Sequence, residues 1–256
     1  MFEVTLLALL QGVAEFLPIS SSGHLVIAQH LLGTGGAGMR LDIFLHVGTL
    51  VSITLFYRRE IGRIIARREW LHVSKILLST LPAVAVYFLG RSFIESAFED
   101  ARMVGGLLVF TGLVISFTRF LPQGGRSVTL PRALAMGAAQ ALALLPGVSR
   151  SGMTLAAARL CKVDAAASAE FSFLMSAPLI AGAAILEIVK ATGASGGFFA
   201  PGEVSWALTA YGAALAALVG YYSLKLLVMT LKGRSFWLFG PYCVVAGILT
   251  FVFCGG

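Results

Sequence analysis

Apolar residues run in long blocks along this chain, and the informative positions are those where the blocks break. Six blocks are candidates for spanning helices: about 42–57, 74–90, 102–119, 168–189, 206–228 and 236–254. Pro82 and Pro178 fall inside two of them, a placement that neighbouring helices can compensate in a membrane. Two further apolar regions are interrupted too early to cross a hydrocarbon core, which takes ~20 helical residues. In the first, arms 2–13 and 23–32 flank a polar break from Gln11 to His24; in the second, about 131–161, the break is PGVSRSGMT at 146–154. Both read as re-entrant helical hairpins, whose irregular tips are tolerated at depth only against protein or a water-filled cavity. Pro146-Gly147 ends one arm, and Ser149 or Ser151 can cap the next. The glycines between Gly33 and Gly38 form a flexible loop in this reading.

The two halves correspond. A shift of 129 residues carries Gln11 to Gln140, Ser20 to Ser149, Ser22 to Ser151 and Gly23 to Gly152, and Phe44-Leu45 to Phe173-Leu174; a shift of 135 carries Gly105 to Gly240 and Gly112 to Gly247. Each half is one hairpin followed by three spans. Three is odd, so the second half enters from the opposite side. The expected fold is an all-α polytopic membrane protein with six transmembrane helices and two re-entrant hairpins. It forms a single membrane domain over 1–256, made of two inverted repeats, about 1–125 and 126–256. Hairpins inserted from opposite sides can bring their tips together at mid-membrane, a layout familiar in transporters.

Composition agrees: 58% of residues are hydrophobic, 12% charged, and the mean hydropathy is +0.89. No polar stretch is long enough for a separate soluble domain. The start lacks the basic n-region and clear cleavage site of a signal peptide. Cys161, Cys243 and Cys254 are scattered and suggest neither a disulfide framework nor a metal cluster. The net charge of +7 reflects topology rather than nucleic-acid binding. Fourteen basic residues fall on one side of the proposed arrangement and four on the other, leaving Arg150 at the second break. The basic side is expected to be cytoplasmic, with both termini outward and the site opening outward.

An arginine at membrane depth costs roughly 2.5–3.5 kcal/mol on insertion scales and marks a functional site by default. Arg150, beside a helix N-terminus, suits a phosphate. Gly147, Ser149, Ser151 and Thr154 lie around it, the hydroxyls as further donors. Gln11 and Glu15 share a helix face and are candidates for a divalent cation or a proton acceptor; a buried structural pair is the plainer reading. Ser20, Ser21 and Ser22 with His24 offer hydroxyls and an imidazole, and His24 or Glu15 could activate a serine. The same residues could simply cap the second arm. A salt bridge from Arg150 to Glu15 would tie the hairpins and could open when phosphate arrives. Asp42 and Glu170, preceding corresponding spans, are assigned to interfaces, and His30, His46 and His72 to no site.

QGVAEFLPISSSGHL at 11–25, QALALLPGVSRSGMT at 140–154 and EFSFLMSAP at 170–178 together resemble the undecaprenyl-diphosphate phosphatase (bacitracin-resistance) family of bacterial inner-membrane enzymes. The resemblance implies hydrolysis of undecaprenyl diphosphate to the monophosphate carrier used in cell-wall synthesis, with Mg2+ or Ca2+ as cofactor. It also implies that Arg150 grips the diphosphate with Ser149 and Thr154, and that Gln11 and Glu15 hold the cation or manage protons. Ser21 matches the family's proposed nucleophile, with His24 as base or acid; His24 itself, or water, is the alternative nucleophile. The family allows Glu or Gln where this chain has Gln11, which leaves Glu15 the sole acid of that motif. The expected partners are the polyprenyl diphosphate and membrane lipids, without nucleic acid, and a homodimer is compatible with this reading. The competing function is an inverted-repeat transporter or polyprenyl-phosphate flippase, which needs binding groups but no nucleophile.

Overall fold

The computed structural model describes residues 1–32, 39–192 and 204–253; the expected glycine loop at 33–38 and Cys254 lie outside them. The described chain is helical: α1 Phe2–Ala14, α2 Ser21–Leu32, α3 Met39–Phe56, α4 Arg58–Ala66, α5 Trp70–Glu99, α6 Ala101–Phe117, α7 Leu130–Leu142, α8 Arg150–Leu160, α9 Ala165–Thr192, α10 Trp206–Lys232 and α11 Phe239–Phe253. Among the described residues, extended pairing is confined to two bridges, Gly124 with Asp164 and Arg126 with Val163. The protein is an all-α polytopic membrane protein. Among the described residues five helices are long and apolar enough to cross a bilayer, and six if α3 and α4, bent by 67°, count as one span.

Local chemistry sets the boundaries. Asp100 caps α6 by accepting from the Arg102 and Met103 amides at 2.9 and 3.1 Å. Ser149 caps α8 through the Gly152 amide at 3.1 Å, and Pro131 occupies the first turn of α7, where its missing N–H is harmless. At the expected breaks, α1 and α2 are 13 and 12 residues long, and α7 and α8 are 13 and 11. At 1.5 Å per residue each is about 20 Å or less, short of a hydrocarbon core of roughly 30 Å.

Two boundaries differ from the sequence reading. The basic stretch taken as a loop after the first span contains α4, which buries Ile64 and exposes Arg58, Arg59 and Arg63, the pattern of a helix lying in an interface. The second span, read as 74–90, belongs to a helix continuing to Glu99. Gly90 is its one non-helical residue (φ −114°, ψ 15°). Beyond it the polar turn is held by Arg91 on Glu95 at 2.7 Å, so the helix outlasts its hydropathy.

The core gathers around the hairpin breaks. Phe16, just beyond α1, and Phe173 of α9 are fully buried with ring centroids 5.6 Å apart, and Ile115, Leu155 and Leu224 pack into the same cluster. Outside, Leu81, Phe88, Leu89 and Phe93 of α5 are exposed, as a lipid-facing surface requires. α6 and α11 cross at glycines: a Cβ on Gly112 would stand 2.6 Å from the Gly240 carbonyl oxygen, and one on Gly105 would stand 2.8 Å from that of Gly247. Small residues of this kind let membrane helices approach backbone to backbone.

Candidate active site

The first hairpin break turns through Ser20, a serine with φ of 70°, a left-handed conformation costly for a residue with a side chain. Its carbonyl accepts from the His24 amide at 3.1 Å, and its hydroxyl accepts from the Gly23 amide at 3.3 Å. In the second break Gly147 has φ of 91°, and a Cβ there would collide with the Val104 carbonyl. Thr111 of α6 braces this turn from outside: its hydroxyl donates to the Gly147 carbonyl at 2.9 Å and accepts from the Ser149 amide at 3.2 Å.

The two breaks touch. Ser151 Oγ donates to the Leu17 carbonyl at 3.3 Å, and a Cβ on Gly23 would stand 3.0 Å from Gly147 Cα. Across this contact Arg150 Nη2 donates to Glu15 Oε1 at 2.6 Å, with both side chains largely buried. Ser21 Oγ donates to Glu15 Oε2 at 2.7 Å, and Gln11 Nε2 reaches the same oxygen at 3.2 Å. The Arg150 guanidinium lies 5.3 Å from the centre of the Phe173 ring. Among the described residues its second terminal nitrogen, Nη1, is buried without a hydrogen-bond partner. An unmet donor on a buried cation costs more than an ordinary lost hydrogen bond and points to an acceptor supplied from outside the chain. A cavity of about 560 Å³ opens at this point, with Glu15, Ser21 and Arg150 in its wall beside apolar Phe98, Leu179 and Ile180. A hydroxyl, the carboxylate it donates to and a guanidinium fork therefore share one chamber with an apolar flank.

Residues 4–249 match the family described as Bacitracin resistance protein BacA. The chain belongs to that family. Relatives named undecaprenyl-diphosphatase align along nearly the whole length. That of Halothermothrix orenii is 35% identical over 262 residues, covering 99% of this chain and 98% of its own. That of Pelotomaculum thermopropionicum is 36% identical, covering 98% and 96%. That of Rhodopirellula baltica is 37% identical, covering 97% and 96%.

Within this member of the BacA family the expected site residues divide. Glu15, Ser20, Ser21, Ser22, Ser149, Arg150 and Ser151 all line the cavity. Thr154 does not: its hydroxyl is buried between the Arg150 carbonyl at 2.9 Å and Ser172 Oγ at 2.6 Å, so it holds the first turn of α8. Gly147 acts through its backbone turn and is not in the cavity wall. His24 is not in the cavity wall. Its Nδ1 donates to the Ser20 carbonyl at 2.9 Å, and its Nε2 accepts from the Tyr242 hydroxyl at 2.8 Å, with the two rings stacked. Both imidazole nitrogens are thereby occupied.

Sequence reasoning missed four residues. Thr111 and Tyr242 are polar side chains in apolar spans, and that mismatch was their only signal. Asp42 and His46, assigned to an interface and to no site, line the cavity with Glu15. Glu170 does lie apart, paired with Arg63 at 3.1 Å.

A divalent cation is implied for the family by its resemblance. Gln11 Oε1 is buried without a hydrogen-bond partner beside the Glu15 carboxylate, an oxygen donor set of the kind hard cations take. Among the described residues no cluster of three or more His, Cys, Asp or Glu forms a metal cage.

Proposed function

We propose that this chain hydrolyses undecaprenyl diphosphate to undecaprenyl phosphate and inorganic phosphate, which returns the lipid carrier to cell-wall synthesis and confers bacitracin resistance. The unmet Nη1 of Arg150, a residue in the wall of a chamber that already contains Ser21 on Glu15, carries this reading. A transporter needs donors for a head group but has no use for a hydroxyl aimed at a buried carboxylate.

In this mechanism the prenyl tail stays among apolar side chains while the diphosphate enters the chamber. Arg150 turns its fork to the terminal phosphate, whose charge replaces Glu15 as its partner. Ser21 Oγ then attacks the terminal phosphorus. The bridging P–O bond breaks, its electron pair leaves with the lipid monophosphate, and the serine proton passes to Glu15 Oε2. Water next attacks the phosphoseryl group and releases inorganic phosphate, while Glu15 returns the proton to Ser21. Positioning and charge stabilisation supply most of the catalysis of such transfers. Glu15 and Gln11 Oε1 would hold magnesium or calcium, which supplies further neutralisation of the diphosphate. The protein resides in the bacterial inner membrane with both termini outward and the chamber opening outward, a reading supported by the basic residues of α4, of the segment 119–132 and of the end of α10 and the turn after it. The two hairpins and the spans that follow form inverted repeats. Supporting this, α1 shifted by 129 residues covers 131–143, one residue from α7, and shifted α2 begins at 150, where α8 begins.

The deciding experiment supplies purified, detergent-solubilised protein with undecaprenyl diphosphate and magnesium and measures phosphate release. Turnover in the wild type, its loss in Ser21→Ala and a trapped phosphoenzyme mapping to Ser21 are expected. A phosphoenzyme on His24 would refute the serine route, and absence of turnover would refute the activity.

A further inference from the structure

The imidazole that the family resemblance points to is His24, yet its two nitrogens are engaged with Ser20 and Tyr242. A second imidazole does face the chamber. His46, on α3, is half-buried and lines the cavity with Glu15, Ser21 and Arg150. Its Nδ1 lies 2.8 Å from the Asp42 carbonyl oxygen one turn earlier. A carbonyl only accepts, so Nδ1 carries a proton, and in the neutral ring Nε2 is then an acceptor. Among the described residues Nε2 has no hydrogen-bond partner. An acceptor there is of no use to a phosphate oxygen, which is itself an acceptor. Ser21 cannot be its donor either, because that hydroxyl is committed to Glu15 Oε2 at 2.7 Å. The remaining donor that hydrolysis brings into the chamber is water.

We propose that His46 is a catalytic residue of this site, holding through Nε2 the water molecule that attacks the phosphoseryl group. The inference rests on the hydrolytic reading above and adds the residue responsible for its second half. The backbone tether to Asp42 fixes the ring, so the acceptor is positioned before water arrives. As the water oxygen bonds to phosphorus, the bond from phosphorus to Ser21 Oγ breaks and its electron pair returns to the serine oxygen. That oxygen recovers the proton stored on Glu15. The proton of the attacking water leaves on the phosphate, as suits a loose transition state in which the attacking oxygen is hardly deprotonated. His46 orients this water without keeping a proton, so an amide oxygen in its place can serve in part.

The test measures kcat, KM and acid-quenched phosphoenzyme for His46→Leu and His46→Gln on undecaprenyl diphosphate in detergent, beside wild type and Ser21→Ala. His46→Leu should lower kcat about 100-fold, the cost of a misplaced reactant, lower KM with it so that kcat/KM stays within about threefold, and accumulate phosphoserine at Ser21. His46→Gln should recover to within about tenfold of wild type. Three results would each overturn the proposal: turnover of His46→Leu within about threefold of wild type, a slow variant without phosphoenzyme, or an equal loss in the leucine and glutamine variants. These failures leave Ser21→Ala inactive. A Ser21→Ala protein with wild-type turnover would instead overturn the serine route and this proposal together.

Discussion

At the scale of single residues, Arg150 does two things with one guanidinium. Nη2 holds the hairpins together through Glu15, and Nη1 has no partner among the described residues. Removing one member of a buried ion pair costs roughly 3–5 kcal/mol, so Arg150→Ala mixes lost catalysis with lost stability. Arg150→Lys separates them, because it keeps the charge and loses the planar fork. We expect Arg150→Lys to elute as a folded protein and to lose phosphate release about 100-fold or more, the scale of one transition-state donor. Thr111 acts on the same turn from outside the chamber. Thr111→Val would leave the Gly147 carbonyl and the Ser149 amide buried and unpaired. At about 1–3 kcal/mol for such a group, the variant should melt earlier in detergent and lose activity in step with the displaced Arg150. The partnership of Glu15 with Arg150 was legible in the sequence, since both are costly polar residues at breaks in apolar runs. The placing of His24 outside the cavity wall was not, because a histidine four residues after a serine says nothing about which face of α2 meets α11. His46 was passed over for a similar reason: no break marks its position in α3.

At the scale of elements, the α6–α11 crossing depends on the absence of side chains. Val at Gly112 would drive its Cβ into the Gly240 carbonyl, and neither backbone can give way without separating the helices. Overpacking costs typically 1–3 kcal/mol, and here the obstruction is backbone, so Gly112→Val should fall at or above the upper end. Its thermal midpoint in detergent should drop well below that of Gly106→Val, where a Cβ meets nothing within 4 Å. Hydropathy located every helix of the two hairpins because proline, glycine and serine interrupt apolar runs there. It missed α4, whose three exposed arginines mask a helix with one buried isoleucine. It also stopped α5 too soon, because the chain turns polar at Arg91 while the helix runs on.

At the scale of the whole molecule, the proposed orientation puts α4 in the cytoplasm and the start of α6 outside. With Cys161, Cys243 and Cys254 replaced, a cysteine substituted for Arg59 should react with an impermeant maleimide only after the membrane is opened. One substituted for Arg102 should react in intact cells, and the reverse pattern would invert the arrangement. The all-α character followed from the lengths of the apolar runs and the placing of their breaks. The depth and shape of the chamber did not, because α3 and α9 supply its walls with residues that resemble any other helix surface.

The glycine crossing is crosswise: Gly105 meets Gly247, while Gly112 meets Gly240, and the shift of 135 that carries 105 to 240 also carries 112 to 247. A contact whose partners exchange in this way is what two separate copies of one ancestor would make by lying head to tail. On the proposed inverted-repeat reading, the covalent link between the halves is a convenience of synthesis rather than a requirement of assembly. Fragments severed between Pro122 and Gln123, made together in one cell, should find each other in the bilayer and restore a working enzyme.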